Sequence, residues 1–167
     1  MKLFTIGVYG SSEEAFFKAL QNAGVDTFCD IRWRRGVRGS EYAFVNSARL
    51  QKRLAELGIR YLHARELAPA PSLRQLQVDA DKAEGATKRK RVALGEAFIA
   101  AYRKEKLSAF DSRQFLKQLG PDTRSVVLFC VERDPSACHR SLLTERLQQD
   151  LGAKIEIVHL IPSQALP

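Results

Sequence analysis

Two short stretches carry the side chains best suited to chemistry. One is Asp30-Ile31-Arg32, and the other runs from Cys130 to Arg140 with the sequence Cys-Val-Glu-Arg-Asp-Pro-Ser-Ala-Cys-His-Arg. In a strand, residues i and i+2 share a face, so Asp30 and Arg32 can pair. That pair is either structural, or it supplies a general base or metal ligand (Asp30) beside an anion-holding guanidinium (Arg32). Glu132 can accept a proton, or pair with Arg32 or Arg140. Cys138, His139 and Arg140 fall where a helix is predicted to begin. A helix N-terminus carries partial positive charge and free N–H groups, which suit an anion and lower a thiol pKa. Cys138 is thus either a nucleophile or a small buried contact. His139 either assists proton transfer or bonds at the helix start. Arg133 and Arg140 are expected to hold an anion.

A second group is basic and aromatic. Arg32, Arg34, Arg35 and Arg38 share one loop with Trp33, and Tyr42 follows. Guanidinium groups match phosphate geometry, and aromatic rings stack on bases. Arg32 and Arg38 are expected to touch phosphate; the alternative is a solvated surface loop. Gly7, Tyr9 and Ser11, after the first apolar run, are expected to line the same place. Gly7-x-x-Gly10 has no Gly-Lys-Ser/Thr and is not a full GxGxxG, which disfavours the common nucleotide-triphosphate and dinucleotide enzymes. Five residues after Cys130 comes Ser136, so a C-x5-R phosphatase loop is absent. A metal could take Cys130, Cys138, a histidine and a carboxylate. No standard zinc spacing and no CxxC is present, so no residue is assigned as a metal ligand and no cofactor is named.

The elements that must position these residues follow from periodicity. Residues 3–8 read as a buried strand, and Ser11 with Glu14 as a capping box for a helix that Gly24 ends. Residues 25–32 read as a second strand. Asn46 or Ser47 can cap a helix carrying Leu50, Leu54 and Leu57, and 59–63 is a short third strand. Pro69 and Pro71 block a helix through 68–71. Residues 79–91 are charged and interrupted by Gly85, predicting a mobile connection or helix break. Helices follow over 92–104 and 108–119. Residues 125–131 are the strongest strand, before a helix over 138–151 and a last strand over 154–161. This order predicts a single α/β domain over 1–167 with a helical, charged insertion at about 64–120. About five mostly parallel strands flanked by helices are expected, Rossmann-like or a related three-layer arrangement. In such sheets ligands bind beyond the carboxyl ends of the strands, where Gly7, Asp30, His63, Glu132 and His159 are predicted to fall.

The chain has 167 residues, enough for one sizeable core. Its formal charge is +8, which favours a polyanionic partner, nucleic acid or a phosphorylated ligand, over a merely well-solvated basic surface. Three cysteines are too few for a disulfide framework and suit a reducing compartment. No apolar run approaches a membrane span, and the N-terminus reads as a strand and not a signal peptide, so a cytoplasmic location is expected. Oligomeric state is not readable.

Thr5-Ile6-Gly7, Asp30-Ile31-Arg32 and the late C-x-E-x-x-P-x-x-C-H-R segment together resemble the family of domain of unknown function 488. The resemblance spans nearly the whole chain, and the late segment is its most specific element. Members usually read Thr-Ile-Gly-His-Ser at the start, whereas Val8 stands here in the place of that histidine. A proline often follows the Asp-x-Arg of the family; here Gly36 and Arg38 occupy that region without it. The resemblance supports the site and implies no particular reaction. The leading expectation is an enzyme acting on a phosphorylated nucleotide or nucleic-acid substrate, with Asp30 or Glu132 in acid/base roles. A non-catalytic nucleic-acid-binding module using the basic loop and residues 82–91 is the alternative, and a metal-binding protein is the third.

Overall fold

The computed structural model describes residues 1–162. In chain order its elements are β1 (Lys2–Ile6), α1 (Glu13–Asn22), β2 (Thr27–Asp30), α2 (Ser47–Glu56), β3 (Arg60–His63), α3 (Pro71–Ala83), α4 (Glu96–Tyr102), α5 (Ser112–Leu119), β4 (Ser125–Phe129), α6 (His139–Leu151) and β5 (Glu156–Leu160). All strand pairings among the described residues are parallel, in the order β3-β2-β4-β1-β5. The three inner strands are buried beyond the first residues of β1 and β4, as a parallel sheet covered on both faces requires, while β3 and β5 at the edges are partly exposed. The chain is therefore an α/β domain with a five-stranded parallel sheet flanked by six helices among its described residues.

The order departs from the 3-2-1-4-5 of dinucleotide-binding sheets because β4 lies between β1 and β2. The crossover leaving β1 runs toward one edge, and that leaving β4 runs toward the other. Phe129 is in register with Ile6 on one side and with Asp30 on the other. Three strands thus end at one level, and opposed crossovers leave a crevice just beyond them. Phe16 of α1 locks this level from below, its ring 5.6 Å from Phe129 and 5.7 Å from Phe44.

Several element boundaries shift from the sequence expectation. Ser12, not Ser11, caps α1, accepting from the Ala15 N–H; the buried Ser11 hydroxyl instead donates to the Val8 carbonyl. Asn46 occupies the N-cap of α2 but gives its side chain to the Val37 N–H at 2.6 Å, bracing the arginine-rich loop. The helix expected over 92–104 begins only after Gly95, whose Cβ, if present, would lie 2.7 Å from Ala80. The helix expected from 108 begins at Ser112, because Asp111 accepts from the Arg113 and Gln114 N–H groups. Pro71 opens α3, where its missing N–H costs nothing. Gly85 follows that helix at φ +65°, where the expected break occurs. Among the described residues no helix is long and apolar enough to cross a membrane.

Candidate functional site

The site is built on the contact between the end of β1 and the loop after β4. The Val8 and Tyr9 N–H groups both donate to the Val131 carbonyl, at 3.1 and 3.0 Å. Gly7 passes so close to Glu132 that any side chain would collide with that residue's carbonyl. Beneath the loop, fully buried Arg140 donates Nη1 to the Glu132 carbonyl at 2.5 Å and Nη2 to the Arg133 carbonyl at 2.7 Å. The loop backbone is therefore pinned from both sides.

Asp30 and Arg32 form the expected pair, fully buried and bidentate. Arg32 Nε donates to Oδ1 at 2.9 Å, and Nη2 donates to Oδ2 at 2.7 Å. The Arg32 N–H and the Tyr61 hydroxyl complete the carboxylate's shell. Burial, then the neighbouring Asp30 charge, raises the Tyr61 pKa, so it stays a donor. Arg32 also gives Nη2 to the Val45 carbonyl and lies 4.6 Å over the Phe129 ring. His63 Nε2 donates to the Arg32 carbonyl. Only Nη1 of Arg32 has no partner, although it is buried.

Arg32 lines a cavity of about 380 Å³, within the range of small-molecule sites. Its basic lining comprises Arg32, Arg34, Arg38, Arg74, Lys88 and Arg89, against a single carboxylate, Glu132. Tyr9 and Trp33 add aromatic surface. Arg65 covers one face of Trp33 at 4.3 Å, and Arg89 lies 5.4 Å over both Tyr9 and Tyr42.

Cys130, Glu132 and His139 form the inner wall. Burial, reinforced by the Cys130 charge, raises the Glu132 pKa, while Lys88 and Arg91 oppose that rise. Arg91 reaches Glu132 Oε1 at 3.5 Å and Asp81 of α3 at 3.7 Å, tying the insertion to the site. Cys130 Sγ donates to Glu132 Oε2 at 3.1 Å. Hydrogen bonding with Cys138, then burial, pushes the Cys130 thiol up to about 11. His139 Nε2 donates to the Ile31 carbonyl at 3.1 Å, leaving Nδ1 to face Cys138 Sγ at 3.7 Å.

The structure thus brings Tyr9, Arg32, Arg38, Glu132 and His139 to one cavity. It places four other expected residues behind it: Gly7 as a close-approach point, Ser11 as a turn brace, Asp30 as the holder of Arg32, and Cys138 against His139. Arg140 does not line the cavity, because two carbonyls take its guanidinium. Arg133 is exposed and packs toward Gly10 outside the cavity lining. Arg74 lies outside every expected site, and Lys88 and Arg89 were expected only within the stretch 82–91 of the binding-module alternative. Their signal was the basic run 88–91 in the charged connection, with Arg74 one turn into a helix opened by Pro71.

No curated protein matches the chain, and no solved structure does. A family model described as Domain of unknown function DUF488 matches residues 12–147, from the cap of α1 into α6. The match takes in Asp30, Arg32, the insertion and the whole segment from Cys130 to Arg140. The chain belongs to the DUF488 family.

Proposed function

We propose that the protein is an enzyme that binds a phosphorylated nucleotide or nucleic-acid-derived substrate in this cavity and acts on it by proton transfer. The observation that carries the reading is the buried Nη1 of Arg32, a charged donor without a partner on a residue lining the cavity. An unsatisfied buried guanidinium N–H is costly unless a ligand completes it. A phosphate oxygen fits that need, and Arg38, Lys88 and Arg89 supply further positive charge around it. Trp33 lines the cavity and offers an aromatic surface for a base to stack on.

Glu132 is the residue best suited to proton transfer. Burial favours its protonated form, and it faces the cavity. Asp30 accepts four hydrogen bonds and serves to aim Arg32. Arg140 is a positioning residue that fixes the Glu132 backbone.

The alternative, a non-catalytic nucleic-acid-binding module, draws on the exposure of Arg34, Arg38, Lys88 and Arg89. Thermal shifts against inorganic phosphate, nucleotides, sugar phosphates and short single strands test both readings. The enzyme reading expects a selective small-ligand shift, and turnover that Glu132→Gln abolishes while the shift remains. A shift with nucleic acid alone, erased by salt and indifferent to Glu132→Gln, would instead establish the binding module.

A further inference from the structure

We propose that Cys130, Cys138 and His139 form a binding site for a single thiophilic divalent cation, zinc above all, at the inner end of the cavity. One donor atom from each residue lies within 4.8 Å of the others, and all three residues are buried. Two sulfurs and an imidazole are a zinc donor set. A tetrahedral ion with roughly 2.3 Å bonds to sulfur and 2.1 Å to nitrogen sets those two donors about 3.6 Å apart. Cys138 Sγ and His139 Nδ1 are already 3.7 Å apart.

The imidazole is also set in the right tautomer. Its Nε2 donates to the Ile31 carbonyl, so the neutral ring turns the Nδ1 lone pair toward the thiols. A histidine that gives its other N–H to a carbonyl is the usual outer support of a metal ligand. Tyr102 lies against the same ring at 5.4 Å and gives its hydroxyl to the Leu67 carbonyl, which leaves the imidazole little room to rotate.

Charge and access fit as well. Binding expels the two thiol protons to solvent, and two thiolates then neutralise the dication, which suits a buried site. Cys130 and His139 line the cavity, so an ion has a way in and a coordination position open to a ligand. Glu132 Oε2, 3.1 Å from Cys130 Sγ, stands next to that position, able to bind the ion or hydrogen-bond a water on it. Three protein ligands with one open position is the arrangement of catalytic zinc, not of closed structural sites. The proposal uses different atoms from the anion reading and does not depend on it.

The test is titration of the reduced, metal-free full chain with cobalt(II), followed by zinc. The expected result is thiolate-to-cobalt charge-transfer absorption in the near ultraviolet with tetrahedral d–d bands, saturating at a single cobalt per chain and lost on adding zinc. Cys138→Ser should lose much of that absorption. Because serine at a buried position can impair folding, alkylation of the unmodified sequence, read by peptide mass spectrometry, supplies a second measurement. In mild denaturant, which opens these buried positions to the reagent, zinc should slow iodoacetamide labelling of Cys130 and Cys138 relative to that of Cys29. Absence of charge transfer, or equal labelling with and without zinc, overturns the proposal. Phosphate-induced thermal shifts of the metal-free protein report the anion site separately, so either reading can fail alone.

Discussion

Gly7 and Glu132 approach so closely that a Cβ on residue 7 would lie 1.8 Å from the Glu132 carbonyl oxygen. Relief requires backbone movement, either of β1 or of the loop that carries Glu132. Gly7→Ala is therefore expected to destabilise the fold by about 3 kcal/mol or more. Its urea midpoint should fall well below that of the parent, and the inner wall of the cavity should lose its geometry. An unchanged midpoint would mean that the contact is looser than described.

Arg32 holds a buried carboxylate through a planar fork, and lysine cannot reproduce two parallel N–H donors. Removing the guanidinium leaves Asp30 buried and short of partners. Arg32→Ala should cost about 3–5 kcal/mol in chemical denaturation. Arg32→Lys should fold better than the alanine variant, yet lose the phosphate-induced thermal shift. A lysine variant that binds phosphate as the parent does would remove Nη1 from the anion site.

Among the described residues Arg140 has no carboxylate partner: both its Nη groups go to loop carbonyls, and its buried Nε has no partner. Arg140→Met keeps much of the volume but leaves the buried Glu132 carbonyl and the partly buried Arg133 carbonyl without their donors. The expected loss is about 3 kcal/mol or more. If Arg140 instead met substrate directly, the methionine variant would keep its melting temperature and lose only ligand binding.

His159 supplies a pH dependence. His159 is exposed on the edge strand, yet partial desolvation of its ring, and next the Arg140 charge, lower its pKa in the folded chain, and its Nδ1 lies 2.7 Å from the Thr5 hydroxyl. Above the ordinary histidine value of about 6.5, both folded and unfolded forms are neutral and contribute no slope. As pH falls through that value, the unfolded chain takes up the proton first, so stability declines until the folded pKa is passed. Urea midpoints measured at about pH 7.5 and about pH 5 should therefore diverge more for the parent than for His159→Gln. Equal pH dependence in the two proteins would exclude this histidine as the cause.

Much of the site was legible because its spacing is local. Asp30 ends β2 and Arg32 follows two residues later, a local spacing from which their pairing is predicted. Glu132 follows the most apolar strand of the chain, where a parallel sheet exposes its carboxyl end. The element boundaries were less legible. Ser11 and Ser12 offer the same hydroxyl, and only the turn at Val8 decides which one caps α1.

The sequence by itself determined that alternating strands and helices give a parallel sheet, and that the reactive side chains gather beyond its carboxyl ends. Both follow from periodicities of two and 3.6, which act over neighbouring residues. Only the tertiary structure decided that β4 enters between β1 and β2, since the inner strands are all short and buried and none marks its neighbour. It also decided which arginines line the cavity. Arg140 and Arg32 are equally basic in sequence, but packing gives every Nη group of Arg140 a carbonyl and leaves one of Arg32 without a partner. Arg74, Lys88 and Arg89 reach the same cavity from the insertion, across a separation that no local pattern spans.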